Sequence, residues 1–314
     1  MRTRDGVGEG RDQLDSAQAV DGEKEPCQRL KMKIAILGTG PIGSTFALQL
    51  ASHGHEVTAI ARNTRLEQLQ AEQAIVTTTG HRAAVKVSPE LDPAIAFDLV
   101  LVTVLASQVA TVLPALKASA AKTVMFMFNT FDSLAPLRDA VGEQRFAFGF
   151  PAILASLDAG KLKSQIVNIG QTTITTRPDW AKVFTEAGIS TQVHPDIESW
   201  LKTHAVLVAG LASLATLAFG RKGGISWAEA KRFARAIREG FALVRRLGKA
   251  VTPAPMAMLG WAPLAAVAAV LWALSRLKLM QMLGGIGPSE PRTLIDAILA
   301  AGPQQTPTML LIRP

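Results

Sequence analysis

The chain has 314 residues, 48% of them hydrophobic and 18% charged, with a net charge of +8. That length suggests two globular domains, and the composition excludes a disordered or collagen-like chain. A single cysteine, Cys27, and five histidines without ligand spacing leave no disulfide framework and no metal site, which fits a reducing cytoplasm.

Residues 1–31 are polar and charged, and they lack the apolar core of a signal peptide. A disordered extension without function is expected there. The first apolar run, Ile34 to Leu37, leads into Gly38-x-Gly40-x-x-Gly43, then an apolar helix-like segment and a second strand-like run, Val57 to Ile60. Strand, glycine turn, helix, strand is the first unit of a dinucleotide-binding Rossmann fold. Gly38 permits the tight turn, Gly40 lets backbone N–H groups approach a pyrophosphate, and Gly43 lets the helix pack close to the strand. Gly38, Thr39, Gly40, Pro41, Ile42 and Gly43 are therefore the candidate pyrophosphate-binding residues.

The second strand ends at Ile60-Ala61-Arg62, without the Asp or Glu that usually holds the ribose hydroxyls of NAD. A guanidinium there can make paired bonds to a 2′-phosphate, so NADP(H) is the expected cofactor. A solvated loop arginine is the other reading of Arg62.

Further along, the pattern predicts a helix over 66–73 and a hairpin of 75–79 with 84–87 around Gly80. The β-branched run at 99–104 reads as a buried parallel strand, followed by a helix over 107–116. A strand over 123–128 ends at Asn129, and a helix over 134–141 follows. Strands are predicted at 146–150, 164–169, 172–176 and 190–193, with a helix at 179–187. From Ile197 the signals are helical. The chain thus divides into an extension (1–31), a Rossmann domain (32–195) and a helical domain (196–314). Apolar segments at 205–219 and 250–275 could pack on one another, and a homodimer would suit them. Pro253, Pro255 and Pro263 interrupt the second, so a core or subunit-interface helix is expected rather than a membrane span. The basic stretch from Lys231 to Lys249 reads as a solvated helix face with Phe233, Ala236, Phe241, Val244 and Leu247 inward. Neither a nucleic acid nor a membrane is expected as a partner.

Several of these stretches resemble the ketopantoate reductase (2-dehydropantoate 2-reductase) family. The likeness is strongest in MKIAILGTGPIG, in Arg62, in DLVLVTVLASQV at 98–109, in WLKTH at 200–204 and in the closing stretch 289–311. The resemblance implies an α/β fold of the 6-phosphogluconate-dehydrogenase-like kind, with a Rossmann-type NADP-binding domain followed by an all-helical domain. It implies reduction of a 2-keto acid by NADPH in pantothenate biosynthesis. It also implies Lys202 as general acid, Glu290 as a second catalytic residue and Asn129 at the nicotinamide-side ribose or the substrate.

An ammonium suits a carbonyl oxygen that gains negative charge as hydride arrives. On composition alone, Lys202 also reads as a helix-end lysine with its stem against apolar surface, and Glu290 as a carboxylate favoured by a helix N-terminus. The family's polar residues four and eight positions after the lysine are here Val206 and Gly210. Its lysine of the VTVKA pattern is Leu105, and Thr130 follows Asn129 in place of glycine. A pocket lined by Val206, Gly210 and Leu105 should prefer a more apolar or larger carbonyl than ketopantoate, with Ser213 and Thr216 as compensating contacts. The alternatives are a non-catalytic NADP(H)-binding protein and a membrane-associated reductase anchored through 250–275.

Overall fold

The computed structural model describes residues 31–314 apart from 168, 169 and 286. The expected extension, with Cys27, lies outside the described residues except for Lys31.

The first strand, β1 (Lys33–Leu37), is apolar because both its faces are covered; four of its five residues are buried. Helix α1 (Pro41–Ser52) follows, starting at a proline that fits the first helical turn. Then come β2 (Glu56–Ile60), α2 (Asn63–Glu72), and the short strands β3 (Ala74–Val76), β4 (Arg82–Ala84) and β5 (Lys86–Ser88). Strands β3 and β4 form the expected hairpin around Gly80. Its predicted second arm, 84–87, divides at Val85. Beyond that residue β5 leaves the hairpin and joins β2 in parallel. An apolar run does not record which of two sheets each residue joins.

Strand β6 (Leu99–Val102) is wholly buried; a short 3₁₀ turn and α3 (Val109–Ala118) follow. The chain continues through β7 (Val124–Met127), α4 (Ala135–Val141) and β8 (Phe146–Phe150). A hairpin that sequence reading divides wrongly comes next: β9 (Ile153–Asp158) pairs antiparallel with β10 (Lys161–Ile166). The expected strand 164–169 thus overlaps the second arm only at 164–166, with 168 and 169 outside the described residues. The first arm was not expected. Its turn places Ala159 at φ +46° and Gly160 at φ +82°. An alanine rarely adopts the left-handed region, so Asp158-Ala159-Gly160 gives little hairpin signal. Strand β11 (Thr173–Thr175), α5 (Pro178–Glu186) and β12 (Thr191–Val193) complete the α/β half.

Eight strands form one sheet in the order β12-β11-β8-β7-β6-β1-β2-β5. The run from β5 to β8 is parallel, and β11 turns antiparallel to β8. One core, with Phe46, Leu69 and Phe184, lies under α1 and α5; another, with Leu116, Phe126 and Phe148, lies under α3.

From Asp196 every element is helical. Asp196 caps α6 (Ile197–Ala218) by accepting from the Ser199 amide at 3.1 Å. Helix α7 (Trp227–Arg246) opens with a Ser226–Glu229 capping box. Its Phe233, Ala236, Phe241 and Val244 are buried as expected, while Leu247, just past its end, is exposed. Then follow α8 (Ala254–Trp261), α9 (Leu264–Leu274), α10 (Lys278–Gly284), α11 (Ser289–Ala301) and α12 (Pro307–Leu311). Helix α9 packs chiefly on α7 rather than on α6, which packs on α7, α10 and α11. Of the described helices, α6 alone is long and apolar enough by itself to cross a bilayer, and most of it is buried inside the helical half.

Candidate functional site

The glycine turn after β1 is held from three sides. Gly38 has φ +98°, and a Cβ on it would come within 2.7 Å of the Val104 side chain. Its amide and that of Thr39 both donate to the Ile60 carbonyl, at 3.1 and 3.2 Å. The Thr103 hydroxyl donates to the Gly38 carbonyl at 2.7 Å. A Cβ on Gly43 would collide with that same carbonyl, so α1 can approach the turn only with glycine there. Gly40 is different: nothing lies within 4 Å of where its Cβ would be. Its missing side chain leaves the mouth of the cleft open above the first turn of α1, where backbone N–H groups lack intrahelical acceptors.

Thr39 is buried, and its hydroxyl donates to Ile60 at 3.0 Å, so it shapes the turn. Pro41 starts α1 and lines the cleft, and Ile42 faces further in. Arg65, adjacent to the candidate Arg62, is a strut. Its guanidinium donates to the Thr39 carbonyl (3.0 Å), the Gly160 carbonyl (2.8 Å) and the Ser44 hydroxyl (2.9 Å). Burial pushes its pKa below the usual arginine value. Arg62 instead lines the cleft and has no side-chain hydrogen bond or ion pair among the described residues.

This outer cleft holds about 560 Å³ between the glycine turn, Arg62 and the loop after β6; no carboxylate lines it. An inner cleft of about 370 Å³ shares Thr103, Val104 and Leu105 with it and reaches Asn129 and Glu290. The two are one continuous groove along the carboxyl ends of the parallel strands, where ligands of open α/β sheets bind.

The inner walls are apolar, with Met127, Phe128, Phe150 and Pro151 among them, and no lysine or arginine lines this part. Asn129 donates to Glu290 Oε1 across a long 3.4 Å, and its Oδ1 is buried without a hydrogen-bond partner. Glu290 sits in the first turn of α11, exposed to the cleft. An orphaned amide oxygen deep in a groove beneath an open glycine turn fits a nicotinamide dinucleotide, which brings both a pyrophosphate and a carboxamide donor.

Lys202 lies apart from these residues. It is buried on α6; its ammonium donates to the Phe131 carbonyl and lies 4.7 Å from the centre of the Phe131 ring. It lines neither cleft. Burial lowers its pKa from the ordinary lysine value, against the pull of Glu198 and Asp132 and with the help of Lys249. Glu198 is held by Lys249 and accepts from the Leu134 amide at 3.0 Å. The segment 129–131 thus links the groups: Asn129 faces the cleft, and two residues on, the Phe131 carbonyl takes the lysine.

Of the three residues expected to line an apolar pocket, only Leu105 does, and it is 65% exposed. Val206 and Gly210 face α7 instead. A Cβ on Gly210 would strike Ile237 at 2.7 Å, and one on Gly240 would strike Val206 at 2.6 Å. These positions set the approach of two helices. Thr216 donates to its own helix, to the Ala212 carbonyl at 2.9 Å, and Ser213 is buried with its hydroxyl unpaired. Neither lines the groove, so the compensating polar contacts expected of them are absent there.

Thr103 and the bracing role of Arg65 escape sequence reading, since Ser, Thr and Arg beside glycine turns carry no distinguishing pattern. His204, two residues past Lys202 and on another face of α6, also gives no sequence signal. It faces a separate cavity of about 500 Å³ and stacks on Trp200 at 4.6 Å. Burial pushes its pKa down to about 4.

Residues 34–178 match the family model described as ketopantoate reductase PanE/ApbA. A curated 2-dehydropantoate 2-reductase of Vibrio cholerae serotype O1 (strain ATCC 39315 / El Tor Inaba N16961) is 31% identical over 144 residues, covering 45% of this chain. The match spans only 44% of that relative's length. Among solved structures, a PanE/ApbA family ketopantoate reductase from Ralstonia eutropha JMP134 has TM-score 0.69 and 22% identity, covering 90% of this chain and 97% of that one. A probable 2-dehydropantoate 2-reductase from Bacillus subtilis has TM-score 0.68 and 18% identity, covering 90% and 98%. A D-mandelate dehydrogenase bound to NADH and anilino(oxo)acetate has TM-score 0.66 and 16% identity, covering 90% and 96%. The chain therefore resembles the ketopantoate reductase family in sequence across its first half and has the fold of those proteins over nine-tenths of its length.

Proposed function

We propose that this chain reduces the carbonyl of a 2-keto acid with an apolar side chain, using NADPH. The observation that carries the reading is the single groove running from Arg62, over the open glycine turn, to Asn129 and Glu290. Residues 32–195 would bind the cofactor and 196–314 would complete the substrate pocket, as a cytoplasmic enzyme.

The cofactor, when bound, supplies the hydride. The N-terminal amides of α1 hold its pyrophosphate beside Gly40. Arg62, with no competing partner, pairs with the 2′-phosphate. Asn129 offers its unpaired oxygen and is oriented by Glu290. Lys202 holds the proton that the carbonyl oxygen takes up, and burial makes that proton easier to release. The role requires the 129–131 segment to shift when substrate binds, freeing the ammonium from the Phe131 carbonyl.

The relatives' names suggest ketopantoate. The inner cleft, without a cation on its walls and with Phe128, Phe150 and Met127 in them, favours a larger apolar side chain. A D-mandelate dehydrogenase with the same fold, bound to an aromatic 2-keto acid analogue, supports that choice. Oxidation of NADPH with ketopantoate and with branched and aromatic 2-keto acids tests the reading. Turnover should be found with the bulkier acids, and Lys202→Ala should lower kcat about 100-fold or more. Because the acid must be protonated, wild-type kcat should fall as pH rises through a pKa below the ordinary lysine value, and the variant should lack that limb. Full turnover by Lys202→Ala would remove the lysine from the mechanism.

The second reading, a non-catalytic NADP(H)-binding protein, draws on the burial of Lys202 against Phe131. Tight NADPH binding with no turnover of any keto acid would favour it.

A further inference from the structure

The stretch Ala250–Ser275, without a charged side chain, reads in sequence as an interior or subunit-interface helix. In the fold half of it is exposed, while Met256, Leu259 and Leu264 pack against the helical core. No residue of α8 is buried, and α9 buries only Val267, Ala268 and Leu271. Trp261 is 78% exposed and Met258 71%, and further along the chain Val270, Leu277, Leu279 and Met282 are exposed as well. A monomer seldom leaves so many large apolar side chains of one segment in water.

The charge around this face is as uneven as its hydrophobicity. Residues 219–288 hold eleven lysines and arginines and two acids, a net +9, against +8 for the whole chain. The entire positive excess therefore lies in this segment. Both acids are engaged: Glu229 caps α7 and pairs with Arg221, and Glu239 accepts from the Thr308 amide and hydroxyl. Two cations meet indoles and a third meets the backbone, the guanidinium groups of Arg238 and Arg245 being partly buried. The Arg245 guanidinium lies 5.0 Å from the Trp261 ring centre, Arg276 lies 3.5 Å from that of Trp272, and Arg238 donates to the Ala262 carbonyl at the turn between α8 and α9.

We infer that the α8–α9 face docks in the plane of an anionic phospholipid surface. Exposed Trp, Met and Leu beside arginines are the two components of interfacial binding: apolar burial at the acyl boundary and attraction to acidic headgroups. In this fold α8 and α9 do not form one continuous spanning helix, because they are bent by 115° between Trp261 and Leu264. A second copy of the chain would bring two arginine-bearing faces of like charge together, which repel. A nucleic acid would neutralise the arginines but leave Met258, Trp261 and Met282 in water.

Sedimentation of the full chain with phosphatidylcholine vesicles, and with vesicles containing about one-third phosphatidylglycerol, tests this. Binding should be about tenfold or more tighter on the anionic vesicles, weaken as salt rises, and shift Trp emission to the blue. Met258 and Trp261 are exposed, so Met258→Ser with Trp261→Ser should keep the circular dichroism and NADPH affinity of the parent and lose about tenfold or more in vesicle binding. Three results would overturn the inference: no binding to anionic vesicles, undiminished binding by the double variant, or a dimer in solution that the double variant converts to monomers. The last would make a second copy the occupant of this face.

Discussion

Each candidate residue is defined by what it already touches. Arg62 and Arg65 lie three positions apart and carry the same group, yet one is free among the described residues and the other is spent on bonds that tie Thr39 and Ser44 of the glycine turn to the Gly160 carbonyl of the β9–β10 turn. The distinction comes from the chain they meet: Arg65 points at the carbonyls of Thr39 and Gly160, while Arg62 opens onto the cleft. His204 illustrates the cost of such placement. Its ring is packed between Trp200 and Phe150, and its pKa falls from 6.5 to about 4. The unfolded chain thus binds more protons between these values, so the stability that neutral His204 lends is full above pH 6.5 and lost as pH falls toward 4. Allowing for the ring's partial exposure, the loss should be on the order of 2 kcal/mol. Denaturant melts of His204→Phe across that window should show a pH slope shallower by this amount.

The long elements of the α/β half are largely legible in sequence, because β1, β6 and β7 are buried on both faces and read as unbroken apolar runs. The short elements are not. The break between β4 and β5 and the turn at Ala159 depend on which neighbour each three- to six-residue strand meets. Helix packing was likewise hidden: Val206 and Gly210 look like pocket positions by their spacing from Lys202, yet they form the seam between α6 and α7. Gly240 lies on the same seam, where a Cβ would also come within 2.8 Å of the Met309 side chain. Gly240→Val should therefore cost about 1–3 kcal/mol in equilibrium unfolding, from overpacking of neighbours that have little room to move. A variant as stable as the parent would show that the seam is looser than its distances indicate.

For the whole molecule, the groove links elements far apart in sequence: β1, β2 and β6 bring the glycine turn, Arg62 and Thr103, β7 brings Asn129, and α11 brings Glu290. A ligand that fills it should stabilise the chain as a unit. NADPH at about a hundred times its Kd should add about 2.7 kcal/mol and raise the Tm by several degrees. At equal concentration NADH should give a smaller rise, and Arg62→Ala should abolish the difference between the two. An equal shift by both cofactors in the parent would remove Arg62 from phosphate recognition.

The sequence alone determined the Rossmann unit, because its signals are local: glycines at fixed offsets, a buried strand on either side, and no carboxylate after β2. It also pointed to the reductase likeness through MKIAILGTGPIG, Arg62, the stretch 98–109 and Lys202 within WLKTH. Only the tertiary structure decided which of those residues share a cavity, because that depends on the path of segments up to 161 positions apart, as for Asn129 and Glu290. It also decided that Lys202 rests against Phe131 and that the uncharged stretch of α8 and α9 lies outside. Hydrophobicity records that a segment avoids water; what covers it is set by the packing of the rest of the chain.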